Sequence, residues 1–144
     1  MIIAFDYGTK NIGIAATDEN EIFSFAKCSI PTSEYQANPA IIVQRVPQIR
    51  EADLLIVGHP KNLKNLSTPS TINAELFSEE LKKLFPAKTI LLYDERFTSK
   101  IALQCSQSSR PKSKKKTLQE RANKDMIEAQ ILLQEYLKRR DNEI

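Results

Sequence analysis

Three short apolar runs open the chain, Ile2 to Asp6, Ile12 to Thr17 and Ile22 to Ile30, and the connections between them are too short to hold a crossover helix. Parallel neighbours need a connection of roughly a dozen residues or more, so strands this close in sequence pair as an antiparallel meander. Gly8 marks the first turn and Asp18-Glu19-Asn20 the second. From Ala40 the period changes. Ile41, Ile42, Val46 and Ile49 recur at helical spacing, and the run Leu54-Leu55-Ile56-Val57 then stops at Gly58, which reads as a helix over 40–49 feeding a buried strand. A second helix is expected from Pro69 to Leu84, with Ile72, Leu76 and Leu81 on its inner side and Pro86 just beyond its end. Thr89 to Tyr93 supplies the fifth strand.

The last third reads as helix, loop, helix. Thr98 to Gln107 is a short helical segment, and residues 106–116 are polar, basic and broken by Pro111, as expected of a mobile loop. Thr117 with Glu120 forms a capping box that starts a final helix near Leu118. Its apolar positions Leu118, Ala122, Met126, Ala129, Leu133 and Leu137 recur every three or four residues, so one stripe faces a core. The order of elements is that of an α/β fold, and 144 residues without a repeat or composition break are expected to form a single domain over 1–144.

Against this apolar frame, three carboxylates stand out. Asp6 ends the first strand, Glu95 follows the fifth, and Asp125 lies within or beside the stripe of the final helix. Each also has a plainer reading: Asp6 as a turn residue before Gly8, Glu95 as the partner of Arg96, Asp125 as the partner of Lys124, Arg121 or Lys100. Crowded together, they would repel one another unless a cation neutralised them. A divalent metal does so, and metal-assisted phosphodiester hydrolysis is the chemistry that calls for such a cluster. Glu128, one helical turn after Asp125, reads as a solvated helix glutamate, with a fourth oxygen ligand as the alternative; His59, at the end of a strand, reads as a loop residue rather than a general base.

A net charge of +3 is mild, but its distribution is uneven. Arg110, Lys112, Lys114, Lys115 and Lys116 fall together, with Arg121 and Lys124 soon after. Such a run is either a solvated loop or a contact for a polyanion, and its proximity to Asp125 favours the second. Cys28 and Cys105 lack metal-like spacing and fit a reduced, intracellular chain. With no targeting segment and nowhere about 18 consecutive apolar residues, a cytoplasmic protein without a membrane span is expected.

The segments Asp6-Tyr7-Gly8-Thr9-Lys10-Asn11-Ile12-Gly13-Ile14-Ala15, Val57-Gly58-His59-Pro60-Lys61-Asn62, Asp94-Glu95-Arg96-Phe97-Thr98-Ser99, and Asp125 with the Ala129 to Gln134 stretch resemble, in order, the YqgF or RuvX family. Its members are named Holliday junction resolvases or pre-16S rRNA nucleases. The resemblance implies a ribonuclease H-like fold: a mixed five-stranded sheet, its first three strands antiparallel, with helices on both faces. It also implies that Asp6, Glu95 and Asp125 are the catalytic acidic trio, coordinating Mg²⁺ or Mn²⁺. Lys10, Lys61, Arg110, Lys112, Lys114, Lys115 and Lys116 are assigned to nucleic-acid contact, helped by backbone amides around Gly8 and Thr9.

Three departures from the family pattern stand in this chain. Leu63-Lys64-Asn65-Leu66 lacks the usual turn residues, Glu128 replaces a usual alanine, and His59 replaces an aliphatic residue. Three functional classes follow: a nuclease maturing the 5′ end of small-subunit rRNA, a resolvase of branched DNA with the same chemistry, and a nucleotide-binding ATPase suggested by Asp6-Tyr7-Gly8-Thr9. Such ATPases enclose nucleotide between two domains, so the length argues against the third. A non-catalytic nucleic-acid-binding role is the alternative outside enzymology. Expected partners are precursor rRNA ahead of branched DNA, and the small ribosomal subunit; the expected state is a monomer or weak homodimer.

Overall fold

The computed structural model describes residues 1–60, 69–94 and 118–142, with the side chains of 118–122 excepted. The expected helix over 98–107 and the expected mobile loop over 106–116 lie outside these residues. Five strands form one sheet: β1 (Ile2–Tyr7), β2 (Asn11–Thr17), β3 (Ser24–Pro31), β4 (Leu54–His59) and β5 (Thr89–Asp94), in the order β3-β2-β1-β4-β5. β1 pairs antiparallel with β2 and parallel with β4, β2 pairs antiparallel with β3, and β4 pairs parallel with β5. The sheet is therefore mixed, and its first three strands form the expected meander.

Helices cover both faces. On one face lie α1 (Thr32–Ala37), α2 (Ile41–Arg45), a 3₁₀ turn over Pro47–Glu51, and α3 (Pro69–Leu84). Tyr35, Ile42, Ile49, Ala74, Phe77 and Leu81 from these pieces bury against Ile3, Phe5, Ile12, Ile14, Leu55 and Val57 of the sheet. On the other face lies α4 (Leu118–Asn142), whose Ala129, Leu132, Leu133 and Leu137 pack on Ile2, Ala4, Ala15 and Ile56. The two sets of sheet residues alternate along each strand, as period-two geometry requires. Burying each leucine of α4 stabilises the docked helix by about 1.5–3 kcal/mol.

Several expectations change. Helix 40–49 is broken: α2 ends at Arg45, and Pro47 opens the 3₁₀ turn, because its ring and missing N–H cannot continue an α-helix. The strand expected from Ile22 starts at Ser24, with Ile22 and Phe23 exposed in a turn where the Asp18 carboxylate accepts hydrogen bonds from both their amides, at 2.8 and 2.9 Å. α3 is rotated from its expected face. Ile72 and Leu76 are exposed, while Thr71, Ala74, Phe77, Ser78 and Leu81 are buried. The polar members of that face are tolerated because Thr71 donates to the Pro60 carbonyl and Ser78 to the Glu75 carbonyl. The short helix α1 was not anticipated; its single large buried side chain besides Thr32 is Tyr35.

Candidate metal centre

Asp6 sits one residue before the end of β1, the middle strand of the sheet, and its direct antiparallel partner on β2 is Gly13. Strand alternation points Asp6 to the same face as Ile2 and Ala4, the face that α4 covers. Asp125 and Glu128 lie three residues apart on α4 and so share one side of the helix. The docked helix lays that side over the end of β1. One carboxylate oxygen from each of Asp6, Asp125 and Glu128 lies within 4.8 Å of the others. Asp6 and Asp125 are half-buried, and Glu128 is 9% exposed.

The helix comes this close because Gly13 has no side chain. A Cβ at Gly13 would stand 2.0 Å from the Asp125 carbonyl oxygen and 2.9 Å from the Met126 nitrogen, far inside contact distance. Gly8 meets a similar constraint in the turn beyond β1, where a Cβ would lie 2.6 Å from the Asn11 carbonyl oxygen. That turn is pinned by the Gly8 amide donating to Asn11 O at 2.9 Å and by the Thr32 hydroxyl donating to Gly8 O at 2.7 Å. The Gly8 amide is therefore engaged within the turn.

Of the expected trio, the structure brings Asp6 and Asp125 together, while Glu95 lies outside the described residues, as do Lys61, Arg110, Lys112, Lys114, Lys115 and Lys116. Lys10 is exposed in the turn leaving β1. Glu128 is not the solvated glutamate expected; it is buried in the cluster, and Lys124 Nζ approaches its Oε1 at 3.5 Å. Lys124, expected as one candidate partner of Asp125, pairs with Glu128. The spacing of one helical turn from Asp125, which made Glu128 an alternative fourth ligand in the sequence, is the geometry that brings it into the cluster. His59 is the last residue of β4 rather than a loop residue, and its Nε2 lies 2.8 Å from Glu75 Oε1. Strand pairing puts it on the face opposite Asp6, since its β1 neighbours in register follow Phe5 opposite Val57.

Three carboxylates with no histidine or cysteine among them form an acidic cluster of hard oxygen donors that could hold a divalent cation. Their mutual spacing fits one small cation with modest side-chain adjustment. A family model described as "RuvX: Holliday junction resolvase" matches residues 1–139. The chain belongs to the RuvX family. Among curated relatives, a Phocaeicola vulgatus protein is 36% identical over 136 residues, 94% of this chain and 94% of its own length. A Flavobacterium psychrophilum protein is 36% identical over 139 residues, 96% of this chain and 97% of its own, and one from Amoebophilus asiaticus is 31% identical over 137 residues, 94% and 92%. Each of these relatives carries the name "Putative pre-16S rRNA nuclease". The mixed sheet with α4 laid across the end of β1 is thus the RuvX frame on which the acidic cluster is mounted. Among the described residues no helix is long and apolar enough to cross a membrane.

Proposed function

We propose that this RuvX protein is a divalent-metal-dependent nuclease that hydrolyses phosphodiester bonds in precursor 16S rRNA. The observation that carries the reading is the convergence of Asp6, Asp125 and Glu128 within 4.8 Å at the end of the central strand. A catalytic role for Asp6 and Asp125, with Glu95 as the third acidic residue, is part of the same proposal. Relatives covering nearly the whole chain carry the pre-16S rRNA nuclease name, which supports RNA as the substrate.

Asp6, Asp125 and Glu128 would hold Mg²⁺ or Mn²⁺, and the bound ion would polarise a phosphoryl oxygen and make water a stronger nucleophile near neutral pH. Asp6 is held by its pairing with Gly13 of β2 and Asp125 by the packed helix, so neither side chain needs large reorganisation to bind. Lys124 offsets part of the negative charge beside Glu128. Lys10, exposed on the turn that leaves β1, would contact a phosphate of the bound strand. The basic residues Lys61, Arg110, Lys112, Lys114, Lys115 and Lys116 would add sequence-independent attraction for the polyanion.

The test is parallel incubation of purified protein with precursor rRNA, a linear duplex and a four-way DNA junction in Mn²⁺. Precursor rRNA should be cut, and Asp6→Asn or Asp125→Asn should reduce turnover by orders of magnitude while RNA binding survives. Full activity in both variants would remove these carboxylates from the mechanism. The family description favours a second reading, resolution of branched DNA. Selective cleavage of the junction would establish that reading instead.

A further inference from the structure

We propose that Gly13 is a positioning residue for the carboxylate site, resting on the metal-dependent reading above: it sets how closely Asp125 can approach Asp6. Gly13 and Asp6 are directly paired across β1 and β2, so a side chain at position 13 would project to the same face as the Asp6 carboxylate. That space is taken by the α4 backbone, with the Asp125 carbonyl oxygen 2.0 Å and its carbonyl carbon 2.3 Å from where a Cβ would stand. Ordinary contact begins near 3.4 Å, so an alanine would force the strand and helix about 1.4 Å apart at this point. The obstacle is helix backbone, which cannot rotate out of the way as a side chain could.

The movement would not be shared equally along the helix. Ala129, Leu132, Leu133 and Leu137 anchor the part of α4 beyond the site, and all four are buried on the sheet. A wedge at Gly13 would press on α4 at Asp125 and Met126, one turn before these anchors, and so act directly on the position of the Asp125 carboxylate. Metal ligation is sensitive to displacements of this size, because oxygen ligands to Mg²⁺ sit at about 2.0–2.1 Å with little tolerance. Gly13 thus acts on the chemistry through Asp125 without touching substrate or ion.

The decisive measurement is Mn²⁺ affinity by calorimetry together with thermal unfolding of the metal-free protein, for Gly13→Ala, Asp125→Glu, the double variant and Leu133→Ala. Gly13→Ala should bind Mn²⁺ at least tenfold more weakly. Asp125→Glu alone should also weaken binding, since its carboxylate overreaches in the native spacing. In the double variant the extra methylene, about 1.5 Å of added C–C bond, should restore much of the lost affinity by spanning the widened gap. Leu133→Ala, which lowers stability without moving the helix end, should keep wild-type affinity. Native affinity in Gly13→Ala, failure of Asp125→Glu to rescue it, or an equal loss in Leu133→Ala would each overturn the proposal, as would a Gly13→Ala chain that cannot fold, since the glycine would then be supporting the domain rather than the site. Wild-type protein that takes up no Mn²⁺ would instead remove the metal-dependent reading, and this inference with it.

Discussion

Replacing Glu128 by glutamine should make the metal-free protein more stable and the metal-bound protein less so. Taken at the 4.8 Å limit within which their carboxylate oxygens lie, each of the two repulsions that Glu128 feels from Asp6 and Asp125 is about 3.5 kcal/mol at an effective dielectric of about 20. Its attraction to Lys124 at 3.5 Å is about 5 kcal/mol on the same scale. The repulsions together exceed the attraction by about 2 kcal/mol, and solvent at the rim, where Lys124 is 31% exposed, reduces the difference to about 1 kcal/mol. For a chain of this size that amounts to a gain of about 2–4 °C in Tm without metal. With metal the order should reverse. An ion at a hundred times its Kd stabilises the native state by about 2.7 kcal/mol, and a protein with one carboxylate fewer binds more weakly and gains less. Scanning fluorimetry in chelator and across a Mn²⁺ titration should show the two melting curves cross. A lower Tm for Glu128→Gln in chelator, or a Mn²⁺ response equal to that of the wild type, would refute the reasoning that Glu128 is held in the cluster against repulsion.

Two further outcomes follow from the opposite face of the sheet. Phe77 lies 5.5 Å from Phe5, 4.8 Å from Tyr7 and 5.2 Å from Tyr35 between ring centroids, so Phe77→Ala should cost about 3–5 kcal/mol in denaturant unfolding; a loss below about 1 kcal/mol would show that this aromatic cluster does not hold α3. The Tyr35 hydroxyl donates to the Glu80 carboxylate, and burial first, then that hydrogen bond, raises its pKa above the ordinary value of 10.0. The unfolded chain ionises Tyr35 near pH 10 while the folded chain does not, so its contribution is intact below that pH and declines as pH rises toward the folded pKa. Tyr35→Phe should flatten the alkaline decline in Tm, and an unchanged decline would assign it to other groups.

Much of the fold was legible because the connections are short. Nothing in the turns after Tyr7 and Thr17 could hold a crossover, so the meander was forced, and the period change after Ala40 announced the alternating half. What misled was hydrophobicity read one residue at a time. Ile72 and Leu76 are strongly apolar yet exposed, while Thr71 and Ser78 are buried because local carbonyls accept their hydroxyl protons, a satisfaction that no periodicity reports. Pro47 was passed over inside an apolar pattern that otherwise looked helical. At the site, Asp6 and Asp125 stood out as charges on apolar surfaces, whereas the sequence left Glu128 between a solvated glutamate and a fourth ligand, and the docking of α4 brings it into the cluster. The role of Gly13 depends on a backbone contact between residues far apart in sequence, so it became visible only with the strand register and the helix in place.

The two halves of the cluster are held by different physics, and this bears on how the site responds to damage. Asp6 is paired with Gly13 in the antiparallel ladder with β2, one residue beyond the last β1–β4 pair at Phe5 and Val57, so its position is fixed by the strand backbone. Asp125 and Glu128 belong to a helix that, among the described residues, is anchored on the sheet by Ala129, Leu132, Leu133 and Leu137. A small rotation of α4 about Ala129, Leu132, Leu133 and Leu137 would move both carboxylates relative to Asp6. Close backbone contact at Gly13 is the feature that limits such rotation toward the sheet, and Lys124 beside Glu128 counters the repulsion that would drive it outward. Losses of packing in the anchor should therefore appear first in unfolding, and changes at positions 13, 124 and 128 first in metal affinity.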